Sequence, residues 1–193
     1  MAKYWEGKLI RLRGVELKDM ESHYLVDHED DVSRFQWVMN PPVSRAATQA
    51  WVEGAAKERP KGDEFTAQME TLIDGTLVGS IATHHCDQRS GVFNYGLHVE
   101  EQHRGKGYAK DAICLIARYF FQELRYQKCN VEVMAINEPS QRLHERLGFQ
   151  QEGRRRRVVY TSGEFSDMIE YGITLEEFRE RHPDYWREEP SEH

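Results

Sequence analysis

The stretch Val99-Glu100-Glu101-Gln102-His103-Arg104-Gly105-Lys106-Gly107-Tyr108-Ala109 holds what an anion site needs. Glycines at 105 and 107 accept positive φ at little cost and let a phosphate approach the main chain closely. Ala109 is too small to block that approach, and Arg104 and Lys106 add positive charge. Such a cradle works where a strand ends and a helix begins, because the first N–H groups of a helix have no partner within it. Competing phosphate motifs fail: GxxxxGK[ST] is absent, and GxGxxG would need a glycine at 110, where Lys110 stands. Taken alone, the stretch also fits a plain glycine-rich turn with basic side chains in solvent. The run Arg154-Arg155-Arg156-Arg157 suggests nucleic acid at first sight. In a strand its side chains alternate between faces, and Arg155 falls roughly opposite Glu170 if the hairpin turns at Ser162-Gly163, giving a cross-strand ion pair.

The elements that must position these residues follow from periodicity and punctuation. Lys8 to Arg13 alternates apolar and basic residues, as a half-buried first strand does. Helical material runs from about Leu17 to His28, and Ser44 caps a second helix to about Arg59. Phe65–Ile73 and Thr76–Thr83 read as strands joined at Asp74-Gly75, a two-residue hairpin signal. Val92–Val99 is a further strand, followed by the glycine turn and a long amphipathic helix from about Gly107 to Leu124. Cys129–Ala135 alternates as a strand, and Pro139–Leu147 is a short helix closed by Gly148. Arg154–Tyr160 and Phe165–Ile173 make a last hairpin. The fold class is α/β (α+β): a mixed, mostly antiparallel sheet with one parallel strand–helix–strand crossover in its middle. Phe35, Trp37, Trp51 and Tyr24 lie in the helical region and read mostly as core.

The 193 residues make one domain, 1–186, with the tail 187–193 expected to be disordered. Lys and Arg total 26 against 33 Asp and Glu, a formal net charge of −7. An acidic balance argues against nucleic acid as a partner, since phosphate neutralisation needs a basic face. Residues 1–14 lack the apolar stretch of a signal peptide, and Ala112–Phe121, interrupted by Arg118, is too short to span a bilayer. Cys86, Cys114 and Cys129 show no CxxC spacing, which suits a reduced, cytoplasmic protein without a zinc site.

Two motifs together carry a resemblance. Arg104-x-x-Gly107-x-Ala109, and Asn137-x-x-Ser140 running into Leu147-Gly148-Phe149, resemble the paired core motifs of the GNAT acetyltransferases. The frame of elements from Lys8 to Ile173 is similar too. The opening GKLIRLRGVELKDM and the closing Asp167–Tyr171 resemble the branch of ribosomal-protein and spermidine N-acetyltransferases. The resemblance implies acetyl-CoA as co-substrate, no metal, and direct transfer of acetyl to a primary amine: a protein N-terminus, a polyamine or another small amine. It implies central strands that splay to admit the pantetheine arm. Leu97, His98 and Val99 would pair with that arm, one N–H polarising the thioester carbonyl. Arg104, Gly105, Lys106, Gly107, Tyr108 and Ala109 would hold the pyrophosphate, with Asn137 facing the cofactor or starting the helix at Pro139. Many members place a Tyr seven residues after this Asn as proton donor. Here His144 stands there, either as an imidazole donor or as a partly exposed helix histidine. Ser140 is the alternative donor, or else a first-turn residue satisfying backbone. Glu100 or Glu101 could accept the amine proton through water or bind a cationic amine, and one of His84 and His85 could face the cleft. Asp87 and Glu70 cannot be ranked. Dimers are common in this branch. The rival reading is a non-catalytic acyl-CoA-binding or regulatory module on the same fold.

Overall fold

The computed structural model of the protein describes residues 4–29, 41–60 and 62–186. Phe35, Trp37 and the tail 187–193 lie outside the described residues. Seven strands form one sheet in the order β1-β2-β3-β4-β5-β7-β6, with β1 at Ile10–Arg13, β2 at Thr66–Thr71, β3 at Leu77–Asp87, β4 at Val92–Val99, β5 at Lys128–Met134, β6 at Gln150–Thr161 and β7 at Glu164–Thr174. Every neighbouring pair is antiparallel except β4 and β5. That exception is where a helix, α3 (Tyr108–Gln122), carries the chain across. The mixed sheet with one parallel neighbouring pair is therefore as the periodicity requires, while the connection from β5 to β6, which passes β7, is a second crossover that the periodicity does not show.

Two helices precede the sheet's main body. A 3-10 turn at Leu17–Asp19 runs into α1 (Met20–Val26), and α2 (Arg45–Ala55) starts at Ser44, whose side chain accepts from Ala47 N at 3.2 Å. Helix α2 stops four residues short of the expected Arg59. The β2–β3 connection also differs: Gly75 N–H donates to Thr71 O, so Leu72–Thr76 form a loop rather than a two-residue turn. At the far end Ser162 and Gly163, at φ 53° and 83°, do make the tight two-residue hairpin, with Thr161 opposite Glu164. Helix α4 (Glu138–Leu147) and a final helix α5 (Leu175–Arg181) complete the fold.

The core lies between the sheet and α3. All side chains from Asp111 to Phe121 except Tyr119 are buried, so the helix expected to be amphipathic is enclosed almost all round over this stretch. Phe93 of β4 stacks on Phe120 with ring centroids 3.9 Å apart, while Tyr126 meets both rings edge-on. One buried carboxylate fixes the start of α3. Asp111 accepts from the main-chain N–H of Lys8, Leu9 and Ile10 at 3.0, 2.6 and 2.9 Å and from the Tyr185 hydroxyl at 2.7 Å. This tie holds the lead-in to β1 against the first turn of α3, directly behind the glycine turn. Trp51, read as mostly core, is half exposed, with its ring edge on His23 at 4.8 Å. None of the described helices is long and apolar enough to cross a membrane.

Candidate active site

Strands β4 and β5 pair in register only at Val92–Lys128, Phe93–Cys129 and Asn94–Asn130. Both strands continue, to Val99 and Met134, without further pairing, so a cleft opens between them. Strand β4 meanwhile stays paired with β3 along its length, where Glu100 N–H donates to Val78 O at 3.0 Å. In an antiparallel ladder, main-chain groups of alternate residues point to opposite sides. The even-numbered residues of β4 therefore face β3, and those of Tyr95, Leu97 and Val99 face the cleft. This divides the three residues read as one set. Leu97 and Val99 can present main-chain groups to a ligand there, whereas those of His98 are used against Ser80. The approach at that point is close: a Cβ on Gly79 would lie 2.2 Å from the His98 carbonyl oxygen.

Beyond Val99 the chain makes a 3-10 turn at Glu101–His103 and enters the glycine stretch. Gly105 and Gly107 stand at φ 77° and 90°, the left-handed region that glycine occupies most readily. Gly107 is the N-cap of α3, and the first helical bond runs from Asp111 N to Gly107 O at 3.1 Å. The N–H groups of Tyr108, Ala109 and Lys110 precede that bond, at the mouth of the cleft. A Cβ at 105 would meet nothing within 4 Å, and one at 107 would meet only Leu9 Cδ1, at 3.2 Å. Lys106 is exposed. Arg104 is partly engaged: its Nε donates to Val99 O at 3.0 Å, and a terminal nitrogen lies 3.6 Å from Glu29.

Across the cleft, Asn137 caps α4, its Oδ1 accepting from Ser140 N at 3.1 Å. Ser140 and His144 do share one face, but the histidine is buried rather than partly exposed. Its Nδ1 lies 2.8 Å from the Ser140 carbonyl, which can only accept, so that nitrogen carries the hydrogen. Its Nε2, 2.7 Å from the Tyr95 hydroxyl, then receives the phenol's proton in a hydrogen bond. Burial pushes the imidazole down to about 4, against the opposing pull of the Ser140 carbonyl. Near neutral pH the ring is uncharged and both its nitrogens are satisfied, so the populated imidazolium that a titrating donor needs is not present. Burial likewise drives the Tyr95 phenol well above its ordinary value.

On the other face of β4, Glu100 accepts from the Ser22 hydroxyl of α1 and from Gln102 Nε2 at 2.8 Å. Glu101 is exposed. His84 turns toward bare Gly96, its Nε2 3.9 Å from where a Cβ would stand, while His85 adopts φ 49° at an irregularity of β3. Glu70 belongs to an ion cluster with Arg11 and Arg13, and Asp87 accepts from its own turn, at Arg89 N and Ser90 N. Two of the four arginines in the run pair with acids, and the Arg157 guanidinium lies over the Phe165 ring, 4.8 Å from its centroid. Arg154 pairs with Asp167 at 2.7 Å, and Arg155 with Glu170 at 2.8 Å and Glu132 at 2.5 Å. The register places Gly153, not Arg155, opposite Glu170, and the long side chain reaches the carboxylate diagonally.

A sheet whose one parallel neighbouring pair among the described strands splays beside a glycine turn at a helix start is the arrangement of one acetyltransferase fold. The chain belongs to the GNAT acetyltransferases: residues 10–150 match the family model described as an acetyltransferase (GNAT) domain. It is 40% identical over 179 residues to the SPbeta prophage-derived uncharacterized N-acetyltransferase YokL of Bacillus subtilis, covering 93% of this chain and 97% of that one. A GCN5-related N-acetyltransferase from Brucella melitensis shares the fold, with a TM-score of 0.76 at 24% identity over 94% of this chain and 82% of that one. So does spermidine N-acetyltransferase from Vibrio cholerae, solved with CoA and spermine, with a TM-score of 0.74 at 18% identity over 88% of this chain and 97% of that one. The chain is an acetyltransferase enzyme.

Proposed function

We propose that the protein moves an acetyl group from acetyl-CoA directly to a primary amine. The observation that carries this reading is the loss of β4–β5 pairing after Asn94 and Asn130, beside the turn at Arg104–Ala109. The main chain of Tyr95 and Leu97, and the N–H of Val99, would face an amide-bearing arm along one wall, the Val99 carbonyl being held by Arg104, and one N–H there would steady the charge on a tetrahedral oxygen. The turn and the first N–H groups of α3 would hold the pyrophosphate, with Arg104 and Lys106 adding charge. Bound acetyl-CoA supplies the activated thioester. Of the two proton donors, Ser140 keeps a rotatable hydroxyl on the first turn of α4, whereas His144 holds Tyr95 and the helix in place. Glu100, at the end of β4, attracts the cationic acceptor. A protein N-terminus or a small amine such as a polyamine fits this chemistry, and the CoA–spermine complex of the Vibrio cholerae enzyme supports the small-amine side. The test is release of free CoA thiol from acetyl-CoA against a panel of polyamines, aminoglycosides and N-terminal peptides. Amine-dependent thiol release is the expected result. Tight CoA binding without any release would mark a binding module instead.

A further inference from the structure

Two buried imidazole nitrogens beside this site have no hydrogen-bond partner: Nε2 of His98 on β4 and Nε2 of His23 on α1. Leaving a buried polar atom unpaired destabilises a fold, so such atoms in a native structure call for a reason. Their placement supplies one. His98 sits between Leu97 and Val99, whose main-chain groups face the cleft, while its own side chain projects from the opposite face to theirs. On that side the charge of His23, on α1, acts on the His98 ring.

We propose, building on the acetyl-transfer reading above, that His98 is a substrate-contacting residue. Its Nε2, together with that of His23, accepts the N–H groups of the attacking amine and aims its lone pair at the end of the cleft.

The other side of the His98 ring is already fixed. Its Nδ1 lies 3.1 Å from the Ser80 hydroxyl, which orients the ring and leaves Nε2 directed away from β3. Burial, with His23 and Arg104 adding repulsion, brings the His98 imidazole down to about 4, and burial lowers His23 as well, despite Asp19, Asp27 and Glu100 nearby. Both rings are therefore uncharged near pH 7, and in the tautomer in which His98 Nδ1 donates to Ser80 Oγ, its Nε2 presents a lone pair rather than a positive charge to an arriving cation. Glu100, tied to Ser22 one residue before His23, places a carboxylate beside them. Exposed Gly96 carries no side chain on this face, and the gap beside it, bounded by His84 Nε2 at 3.9 Å from where its Cβ would stand, is narrow enough to suit a slender carbon chain. The acceptor class is thus a primary amine on a slender, unbranched arm, recognised through its nitrogen.

The experiment compares wild type with His98→Leu and His98→Gln. In the leucine variant the KM for amine should rise about tenfold or more and kcat should fall. Acetyl-CoA affinity by calorimetry should stay within about twofold, and the melting temperature should hold or increase, because an unsatisfied buried group has been removed. Glutamine, which returns a polar atom near the Nε2 position, should recover much of the lost activity. A merely structural histidine would instead show a lower melting temperature with unchanged amine kinetics, and that result overturns the proposal. A second readout needs no turnover: the Nε2 resonances of His98 and His23 should shift when n-butylamine is added to 15N-histidine-labelled wild-type protein. Unmoved resonances, as expected if only a resident water bridges the rings, also overturn it. Failure of acetyl-CoA to bind wild type would sink the donor reading while leaving the resonance test decisive for His98.

Discussion

Gly107, Arg104 and His144 each do a job that can be removed separately. At φ 90° a residue with a Cβ sits in the left-handed region at a cost of about 1–2 kcal/mol, more when the side chain is β-branched. The Gly107→Val protein should therefore melt a few degrees lower yet keep its far-UV signature, and calorimetry should show no acetyl-CoA binding. Gly105→Ala is the comparison, since nothing lies within 4 Å of the added carbon. It should cost stability similarly and retain measurable affinity. In the proposed cofactor complex Arg104 exchanges its Val99 and Glu29 contacts for phosphate. Arg104→Ala should weaken CoA by roughly one to two orders of magnitude and flatten the salt dependence of what remains. An unchanged Kd and salt slope would leave Arg104 as a brace for the end of β4. His144 is where the sequence reading and the structure part. The i, i+4 spacing correctly puts Ser140 and His144 on one face, and Asn137 is the N-cap its residue type suggests. Spacing along one helix carries no information about what packs onto that face, so Tyr95, Phe149 and Tyr171 closing over the imidazole were not foreseeable. With the ring held near 4, the pH–rate profile between pH 6 and 9 should show only the rising limb of amine deprotonation. A falling limb in that range, abolished in His144→Phe, would restore the imidazolium donor.

At the scale of elements, the cleft exists because β4 obeys two neighbours at once. It stays zipped to β3 throughout and leaves β5 after three pairs, and α3 must begin at the open end. What keeps α3 there is Asp111, which the sequence does not advertise. A lone acid in an apolar helix reads as a solvated residue, and its partners at Lys8, Leu9, Ile10 and Tyr185 are far away in the chain. Helix α5 was hidden differently. Its local signal is present in Thr174-x-x-Glu177, a capping box in which Thr174 accepts from Glu177 N and Glu177 from Thr174 N. That signal was masked by the strand pattern running straight into it. Asp111→Ala would strand three main-chain N–H groups and a buried phenol, each costing about 1 kcal/mol or more. The variant should lose at least about 3 kcal/mol in urea denaturation, with the lead-in to β1 the first segment to gain amide exchange. Asp111→Asn, which keeps an acceptor oxygen, should fall between. Equal stability in all three proteins would show that α3 is held by its apolar face alone.

At the scale of the molecule, the proposed acceptor side hangs on an ion cluster at the β1–β2 edge. Glu70 of β2, 1% exposed, binds Arg11 and Arg13, and Arg13 reaches on to Asp19, at 2.8 Å to each carboxylate oxygen, just before α1 begins. Helix α1 then carries Ser22 and His23 to the end of β4, so the cluster links the sheet's edge to the residues proposed to meet the amine. Burial alone would raise the Glu70 carboxyl. The Arg13 and Arg11 hydrogen bonds outweigh it and bring the group from 4.5 to about 2. A carboxylate whose pKa is lower folded than unfolded adds stability that is complete above about pH 4.5 and disappears as pH falls toward 2. The span corresponds to about 3 kcal/mol, and to less once solvent screening of the 42%-exposed Arg11 is counted. Other acids titrate in the same window, Asp19 among them, so the informative quantity is a difference. Wild type should lose about 2–3 kcal/mol more than Glu70→Gln between pH 5 and pH 2, measured by denaturant unfolding at each pH. At pH 7 the glutamine variant should be the less stable of the two, because Asp19 is then the one carboxylate left to Arg13. Parallel pH curves would mean that Glu70 is ion-paired equally in the unfolded chain. A divergence accompanied by early loss of α1 protection in amide exchange would confirm that this cluster keeps the acceptor face assembled.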